Sequence, residues 1–332
     1  SEYTALHKKN KDYTQNDTVG KAGLEQYYET YLRGKNGEQK FYIDNVGRIS
    51  EIISSTDSVA GDDLYLSIDA DLQKATYLAL QNEIAAIVYS NIKSGEIPIN
   101  DVYTALIGNS VINTEHFSKS KASDTEKSVL SVFKSRQKTT LGKIKQELTS
   151  SPEALNTMSD EVLDEFTYII SMLKDDQVLL KNEIDTSDSV YQKWKDQKIS
   201  PKEYLNYCIT QHWIDISQLN VDEKYADSTE VYDALCKYIL KNIKTDTEFS
   251  KIIYQYMITR GEISPRQLCL ILFDQGVLDY DDATVNKLKN GSLSPRDFLM
   301  KKIYNIEITP AQLALEPCIG SCVVTDEKTG EI

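Results

Sequence analysis

The stretch from about residue 93 to 315 constrains this chain most. Apolar residues recur there at helical spacing almost throughout, with short Gly, Pro, Ser or Asp breaks between the runs. A segment this long has room for its own core, so a helical domain that folds by itself is expected. Within it a unit of nineteen residues recurs. Gly95-Glu-Ile-Pro98 opens one copy, which ends in Val111-Ile-Asn113. Gln197-Lys-Ile-Ser-Pro201 opens a second, ending in Trp213-Ile-Asp215. Gly261-Glu-Ile-Ser-Pro265 opens a third, ending in Val277-Leu-Asp279. Ser200 and Ser264 read as N-caps, with Pro201 and Pro265 at the first helical position. Ser294-Pro295 and Thr309-Pro310 repeat the start without the same ending. The copies begin 102 and then 64 residues apart, so no solenoid period exists. Shared helix-start chemistry explains them most simply; a degenerate binding repeat is the alternative.

The flanks read differently. In residues 1–62, Lys21 to Arg33 has helical period, with Leu24, Tyr27, Tyr28, Tyr31 and Leu32 on one stripe. Gly34 and Gly37 stop that helix. Phe41 to Ile49 reads as two short strands around a turn at Asn45-Val46-Gly47. In Asp63-Leu-Tyr-Leu-Ser-Ile68 the apolar residues alternate, the pattern of a half-buried strand. Asp69 or Asp71 can then cap a helix running through Leu72–Leu80 and on toward Ile92. Beyond Pro317, Gly320 to Ile332 reads as a strand, a turn over Glu327–Gly330 and the start of a second strand. The expected class is α+β: small mixed α/β pedestal and sheet elements flanking a large, mainly α-helical inserted domain.

Charge and composition exclude several functions. With 51 acidic and 37 basic residues the formal net charge is −14, which repels phosphate backbones and argues against nucleic acid as a partner. The apolar runs are too short and interrupted to span a bilayer. No basic segment leads into an apolar one, so no signal peptide is expected, and both ends are expected to be cuts. The five cysteines do not form a disulfide scaffold. Cys318 and Cys322 are the one close pair. His7, His116 and His212 lie far from them, so no metal site is expected and buried free thiols are the simpler reading. No cofactor-binding motif is present. His-Glu-x-x-His, Gly-x-Ser-x-Gly and a Gly-rich phosphate loop are all missing. Asp279-Tyr-Asp-Asp-Ala-Thr284 starts like a calcium loop, but Ala283 and Thr284 stand where a ligand and the turn glycine belong. The 21 tyrosines, several at helical spacing such as Tyr204/Tyr207 and Tyr254 near Ile258, read first as packing; an aromatic groove for glycan or a partner helix is the second reading.

Three motifs carry a resemblance. Gly20-x-x-Gly23-x-Glu25, followed by Leu32-x-Gly34-x-x-Gly37, resembles an N-terminal motif of class B penicillin-binding proteins. Asp63-Leu-Tyr-Leu-Ser-Ile-Asp69-x-x-Leu72-Gln73 resembles the strand and helix that open their transpeptidase domain. Gly320-Ser-Cys-Val-Val-Thr-Asp326-x-Lys328-Thr-Gly330-Glu331 resembles the next strand and hairpin. The resemblance implies four segments: a dimerisation-type pedestal over 1–62, the first strand and helix of the transpeptidase over 63–92, a helical insertion over 93–315, and a returning strand and truncated hairpin over 316–332. Such an insertion costs little if its ends stay close, and then Leu64–Ile68 and Ser321–Thr325 are neighbours in one sheet.

For chemistry, the resemblance implies a peptidoglycan D,D-transpeptidase acting outside the cytoplasmic membrane, with a serine nucleophile activated through Ser-x-x-Lys. Five pairs match that spacing: Ser90/Lys93, Ser118/Lys121, Ser131/Lys134, Ser135/Lys138 and Ser171/Lys174. No Ser-x-Asn accompanies them, so all five read as chance. Lys328-Thr-Gly330 reads as the hairpin turn. No catalytic residue is expected in this chain, and its role is positioning and docking within the wall-synthesis machinery. Expected partners are peptidoglycan-synthesis proteins, with a homodimer left open. Stem peptide and β-lactam would bind only the full-length protein, and the membrane would be met only through an anchor before Ser1. The competing reading is an independent helical scaffold.

Overall fold

The computed structural model describes residues 2–14, 16–45, 48–150, 153–221, 226–315, 319–325 and 327–328. The chain divides into two compact units, Ser1–Gln73 and Lys74–Ile332.

The first unit holds three short helices and a hairpin. They are α1 (Glu2–Lys9), α2 (Gly23–Tyr27), α3 (Glu29–Leu32), β1 (Glu38–Ile43) and β2 (Ile49–Thr56). β1 and β2 pair antiparallel from Glu38↔Thr56 to Ile43↔Ile49, with irregularities after Lys40 and after Tyr42. Asp44 N–H donates to Arg48 O at 2.9 Å, and Asp44 Oδ1 accepts from Arg48 N–H at 2.9 Å. The expected hairpin is therefore present with longer strands; Val46 and Gly47 of its turn lie outside the described residues. The single helix expected over Lys21–Arg33 is two pieces instead. Tyr28 sits between them at φ −100° and ψ 14°, off the helical basin. The second piece ends at Leu32, which leaves Tyr31 O without an intrahelical partner and able to accept Asp62 N–H at 2.8 Å. The expected apolar stripe is not buried: Leu24, Tyr27 and Tyr31 are exposed.

α4 (Ala70–Ser94) starts on Asp69, whose Oδ1 accepts Leu72 N–H at 2.9 Å. Of the two caps the sequence allowed, Asp69 serves, and Asp71 lies in the first turn near the positive end of the helix dipole. Two expected strands are not formed. Neither Leu64–Ile68 nor Ser321–Thr325 belongs to a sheet, and β1–β2 is the one sheet among the described residues. Alternation makes a segment fit for a strand, but a ladder also needs a partner edge for its N–H and C=O groups. Asp326, Thr329 and Gly330 lie outside the described residues, as does Cys318.

The second unit is helical. After α4 come α5 (Ile99–Gly108), α6 (Asp124–Thr149), α7 (Asp160–Asp175), α8 (Ser189–Lys195), α9 (Pro201–Thr210) and α10 (Ser228–Ile243). α11 (Thr247–Thr259), α12 (Pro265–Asp274), α13 (Asp282–Asn290), α14 (Pro295–Tyr304) and α15 (Pro310–Leu313) follow. α11 is the hub, packed on α5, α6 and α7; α10 packs on α9 and α6, and α12 on α14, α13 and α6. Tyr254 of α11 is sandwiched at the centre: Phe133 stacks on it at 4.2 Å and Phe117 meets it edge-on at 5.9 Å. Most starts are fixed by side-chain caps, among them Ser123, Asp188, Ser200, Asp227, Asp246, Ser264, Asp281, Ser294 and Thr309. Asp281 of the calcium-like run is one of these caps.

The nineteen-residue unit has a geometric basis. In each copy a ten-residue helix is bracketed by two residues with positive φ, fifteen residues apart. The pairs are Gly95/Ser110 around α5, Gln197/His212 around α9 and Gly261/Gly276 around α12. Gly291/Ile306 around α14 make a fourth copy, ending in Ile308-Thr309, which the sequence alone did not yield. After the helices the chain turns back through Schellman bonds such as Trp213 N–H to Cys208 O, Val277 N–H to Leu272 O and Glu307 N–H to Lys302 O. The turn drives the next apolar residue inward: Ile112, Ile214, Leu278 and Ile308 are all buried.

Candidate functional site

The glycine motif builds the frame of the first unit. A Cβ at Gly20 would sit 2.3 Å from the Glu25 carbonyl carbon. At Gly37 it would meet Ser58 N at 2.8 Å and Thr56 O at 2.9 Å. Gly34 has φ +70°, and a Cβ there would lie 2.3 Å from Val59 O and 2.6 Å from Gly61 N. That approach is held by the Lys35–Val59 bridge, with N–H to O bonds of 2.8 and 2.9 Å. Leu32 is half-buried, its carbonyl against Gly61. Gly23 has φ +57° with open space around it, and Glu25 is exposed in the first turn of α2. Leu72 and Gln73 lie in the first turn of α4, and Gln73 N–H donates to Asp69 O at 2.9 Å. Most of these motif residues shape backbone and offer no reactive side chain.

The sequence reading missed the polar clasp beside them. Arg33 Nη2 binds Asp17 Oδ2 at 2.5 Å and also the Asp12 carbonyl, while its guanidinium lies 3.9 Å from the centre of the Tyr13 ring. Glu29 accepts from Gly20 N–H at 2.8 Å and from the Tyr13 hydroxyl at 3.3 Å. Asp17 also accepts from the Thr14 hydroxyl and N–H, which with Arg33 hold its carboxyl well below the usual range. The spacing of Glu29 and Arg33 suggests an i,i+4 pair, but each turns to a different partner.

The structure places the serines of the five Ser-x-x-Lys pairs on the surface. Ser90, Ser118, Ser131, Ser135 and Ser171 are all exposed. The Ser118 and Ser135 neighbourhoods are ordinary helix chemistry, with Ser118 Oγ donating to Glu115 O at 2.9 Å. Among the described residues no group of three or more His, Cys, Asp or Glu could hold a metal ion, and no helix is long and apolar enough to cross a membrane.

Titratable groups in the helical unit serve joints between helices. Glu126 of α6 is fully buried and binds Ser123 N–H at 2.7 Å, His116 Nδ1 at 2.7 Å and Gln275 Nε2 at 2.8 Å. Burial alone raises its pKa, and the bonds from Gln275, Ser123 and His116 outweigh it and hold the carboxyl ionised. Glu161 of α7 takes two bonds from Arg136 Nη2, at 2.8 and 2.9 Å, and one from Arg260 at 2.5 Å. The tyrosines act as the packing reading expects: Tyr168 donates to Asp246, Tyr207 to Asp188 and Tyr256 to Asp164, each within 2.8 Å.

Glu165, one turn after Glu161, differs. Burial and the Glu161 carboxylate raise its pKa to about 8, although Lys143 and Arg136 oppose the shift. The folded chain thus holds this proton more tightly than the unfolded chain, whose group titrates near 4.5. The stability it contributes is complete below that value and is lost as pH rises toward 8. Glu165→Gln should remove this dependence. Urea titrations at pH 5 and pH 8.5 should show the wild type losing roughly 2–4 kcal/mol more than the variant across that interval. An equal loss in both would refute the buried-acid assignment.

The thiols give a second prediction. Burial pushes Cys208 to about 12, Cys236 to about 11 and Cys269 to about 12, whereas Cys322 is exposed. A chromogenic disulfide reagent at pH 8 should leave Cys208, Cys236 and Cys269 unmodified until the chain is unfolded, as peptide mapping would show. Rapid labelling of any of the three in the native chain would contradict the packing described.

Residues 2–66 match the penicillin-binding protein dimerisation domain. The N-terminal region carries that dimerisation domain. Curated relatives also match part of the chain. The peptidoglycan D,D-transpeptidase MrdA of Salmonella typhimurium is 34% identical over 95 residues, 28% of this chain and 15% of the relative. The peptidoglycan D,D-transpeptidase FtsI of Escherichia coli is 34% identical over 118 residues, 36% of this chain and 19% of the relative. Penicillin-binding protein 2A of Bacillus subtilis is 35% identical over 74 residues, 22% of this chain and 10% of the relative. The match thus spans under a fifth of each relative. No solved structure gives a significant match. The glycine-built frame of Gly20, Gly34 and Gly37 lies wholly inside the dimerisation-domain match.

Proposed function

We propose that this chain is the non-catalytic, positioning part of a penicillin-binding protein that cross-links peptidoglycan. The observation that carries the reading is the dimerisation-domain match over residues 2–66. In this reading the whole protein is a serine-type D,D-transpeptidase, acylated by penicillin at a serine outside this chain. It works on the outer face of the cytoplasmic membrane, held there by an anchor. Residues 64–68 and 321–325 find their ladder partners in the transpeptidase sheet, and residues 93–315 form a helical insertion beside it.

Exposed apolar surface supports a docking role. Phe41, Tyr42, Ile43, Ile49, Ile52 and Ile53 of the hairpin are all exposed. A lone two-stranded hairpin is marginally stable in water and gains from a covering surface. Wall-synthesis proteins are the proposed partners of the helical insertion, and a second copy is the proposed partner of the N-terminal domain.

Deleting residues 93–315 from the protein that carries its complete transpeptidase tests the docking role. Retained penicillin labelling with loss of partner capture and of growth would support it. Unchanged capture and growth would overturn it.

A further inference from the structure

A groove of about 480 Å³ runs between α4 and α14, in the size range of small-ligand sites. Lys93 of α4 and Arg296 and Lys301 of α14 line it, with Asp297 the one carboxylate. Three cations against one acid is a local inversion in a chain of net charge −14. Screening at physiological ionic strength acts over about 8 Å, so a contacting ligand feels this patch more than the acidic whole. The cations are available. Lys93 and Lys301 make no salt bridge among the described residues. Arg296 donates one bond to Ile92 O at 3.1 Å, which fixes its guanidinium and leaves it further donors. Asp297 is occupied at the helix cap, where its Oδ2 accepts from the Ser294 hydroxyl at 2.7 Å.

The walls add a second chemistry. Tyr89 and Tyr304 approach to 5.2 Å between ring centres, tilted by 60°, and Tyr304 is 57% exposed. An exposed tyrosine face is a surface for a sugar ring, and its hydroxyl can bond to sugar oxygens. A purely anionic ligand would have no use for the rings, and a neutral sugar would have none for the cations.

We propose that this groove binds the carboxylate-bearing glycopeptide units of peptidoglycan. The sugar lies on Tyr304 and Tyr89, and the carboxylate faces Lys93, Lys301 and Arg296. The choice of glycopeptide among acidic sugars rests on the wall-synthesis reading above.

Methionine-methyl NMR of the 332-residue chain tests it, because Met300 lines the groove and the other three methionines are Met158, Met172 and Met257. Muramyl dipeptide should shift the Met300 methyl alone. Neutral chitobiose should bind about tenfold more weakly, as should muramyl dipeptide to the Lys93→Gln, Lys301→Gln double variant. Tyr304→Ala should weaken muramyl dipeptide binding without restoring any preference for inorganic phosphate. Unchanged Met158, Met172 and Met257 methyls show that a variant is folded, and Arg296 is left in place because it ties α14 to α4. The proposal is overturned if Met300 does not respond, if the double variant binds equally well, or if inorganic phosphate or chitobiose matches muramyl dipeptide. Failure here with penicillin labelling of the longer protein intact removes this site and leaves the family reading standing.

Discussion

Replacing Glu161 with alanine will destabilise the helical unit by about 3–5 kcal/mol, the largest effect of any single side chain on its polar joints. Glu161 is 3% exposed and receives bonds from two guanidinium groups, on α6 and just after α11. Without it, Arg136, whose side chain is 16% exposed, keeps a charge that Glu262 at 3.6 Å compensates only in part. Arg260 contributes less, because its side chain is 38% exposed and water can take over its solvation. Glu161→Gln should recover about half of the loss, since one acceptor survives. Thermal unfolding followed by circular dichroism would read both. A loss of under about 1 kcal/mol in the alanine variant would mean that the joint is screened like a surface pair.

Gly34→Ala will collapse the first unit and spare the second. The substitution meets two separate penalties. Positive φ costs a residue with a Cβ about 1–2 kcal/mol, and the added carbon would sit 2.3 Å from the backbone oxygen of Val59, which cannot swing aside. Overpacking of that kind costs a further 1–3 kcal/mol. The first unit is small and its hairpin is exposed on both faces, so it has little reserve. Limited proteolysis should cut the variant within residues 1–73, while the residues from 74 onward keep the wild-type unfolding midpoint. Glycine at position 23 is the internal control: Gly23→Ala meets no neighbouring atom, pays only for φ +57°, and should be clearly milder. Equal effects at both positions would refute the close approach at Gly34.

How much of this was legible in the sequence depends on how local the cause is. Ser264-Pro265 and Ser200-Pro201 announced their helices because cap and ring chemistry act within one turn. The fourth copy of the bracketed helix escaped because the left-handed position takes Gly, Ser, Gln, His or Ile. Ile306 in particular gives no sign of positive φ, and only the surrounding turn fixes it. Lys21–Arg33 reads as one helix because its apolar period runs straight across Tyr28, the residue at which the structure divides it. Leu64–Ile68 has strand composition and no ladder, since pairing is a property of two segments. The glycine motif was legible in residue type alone. That Gly20, Gly34 and Gly37 each approach another backbone within 3 Å of a would-be Cβ needed the fold. The clasps at Arg33 and Glu161 left almost no trace, because Arg136 is 25 residues from Glu161 and Asp17 is 16 from Arg33. The one available hint was Glu161 and Glu165 one turn apart beside the apolar Phe166 and Ile169, which marks two acids facing the core.

The central claim is that this chain is a non-catalytic part of a penicillin-acylated enzyme. Fluorescent penicillin, applied to this chain beside a longer version carrying the complete transpeptidase domain, tests it most directly. The account predicts covalent labelling of the longer protein and none of the 332-residue chain. A longer protein that stays unlabelled would contradict the family reading and favour an independent helical scaffold, and labelling of the short chain would restore one of its Ser-x-x-Lys pairs as a nucleophile.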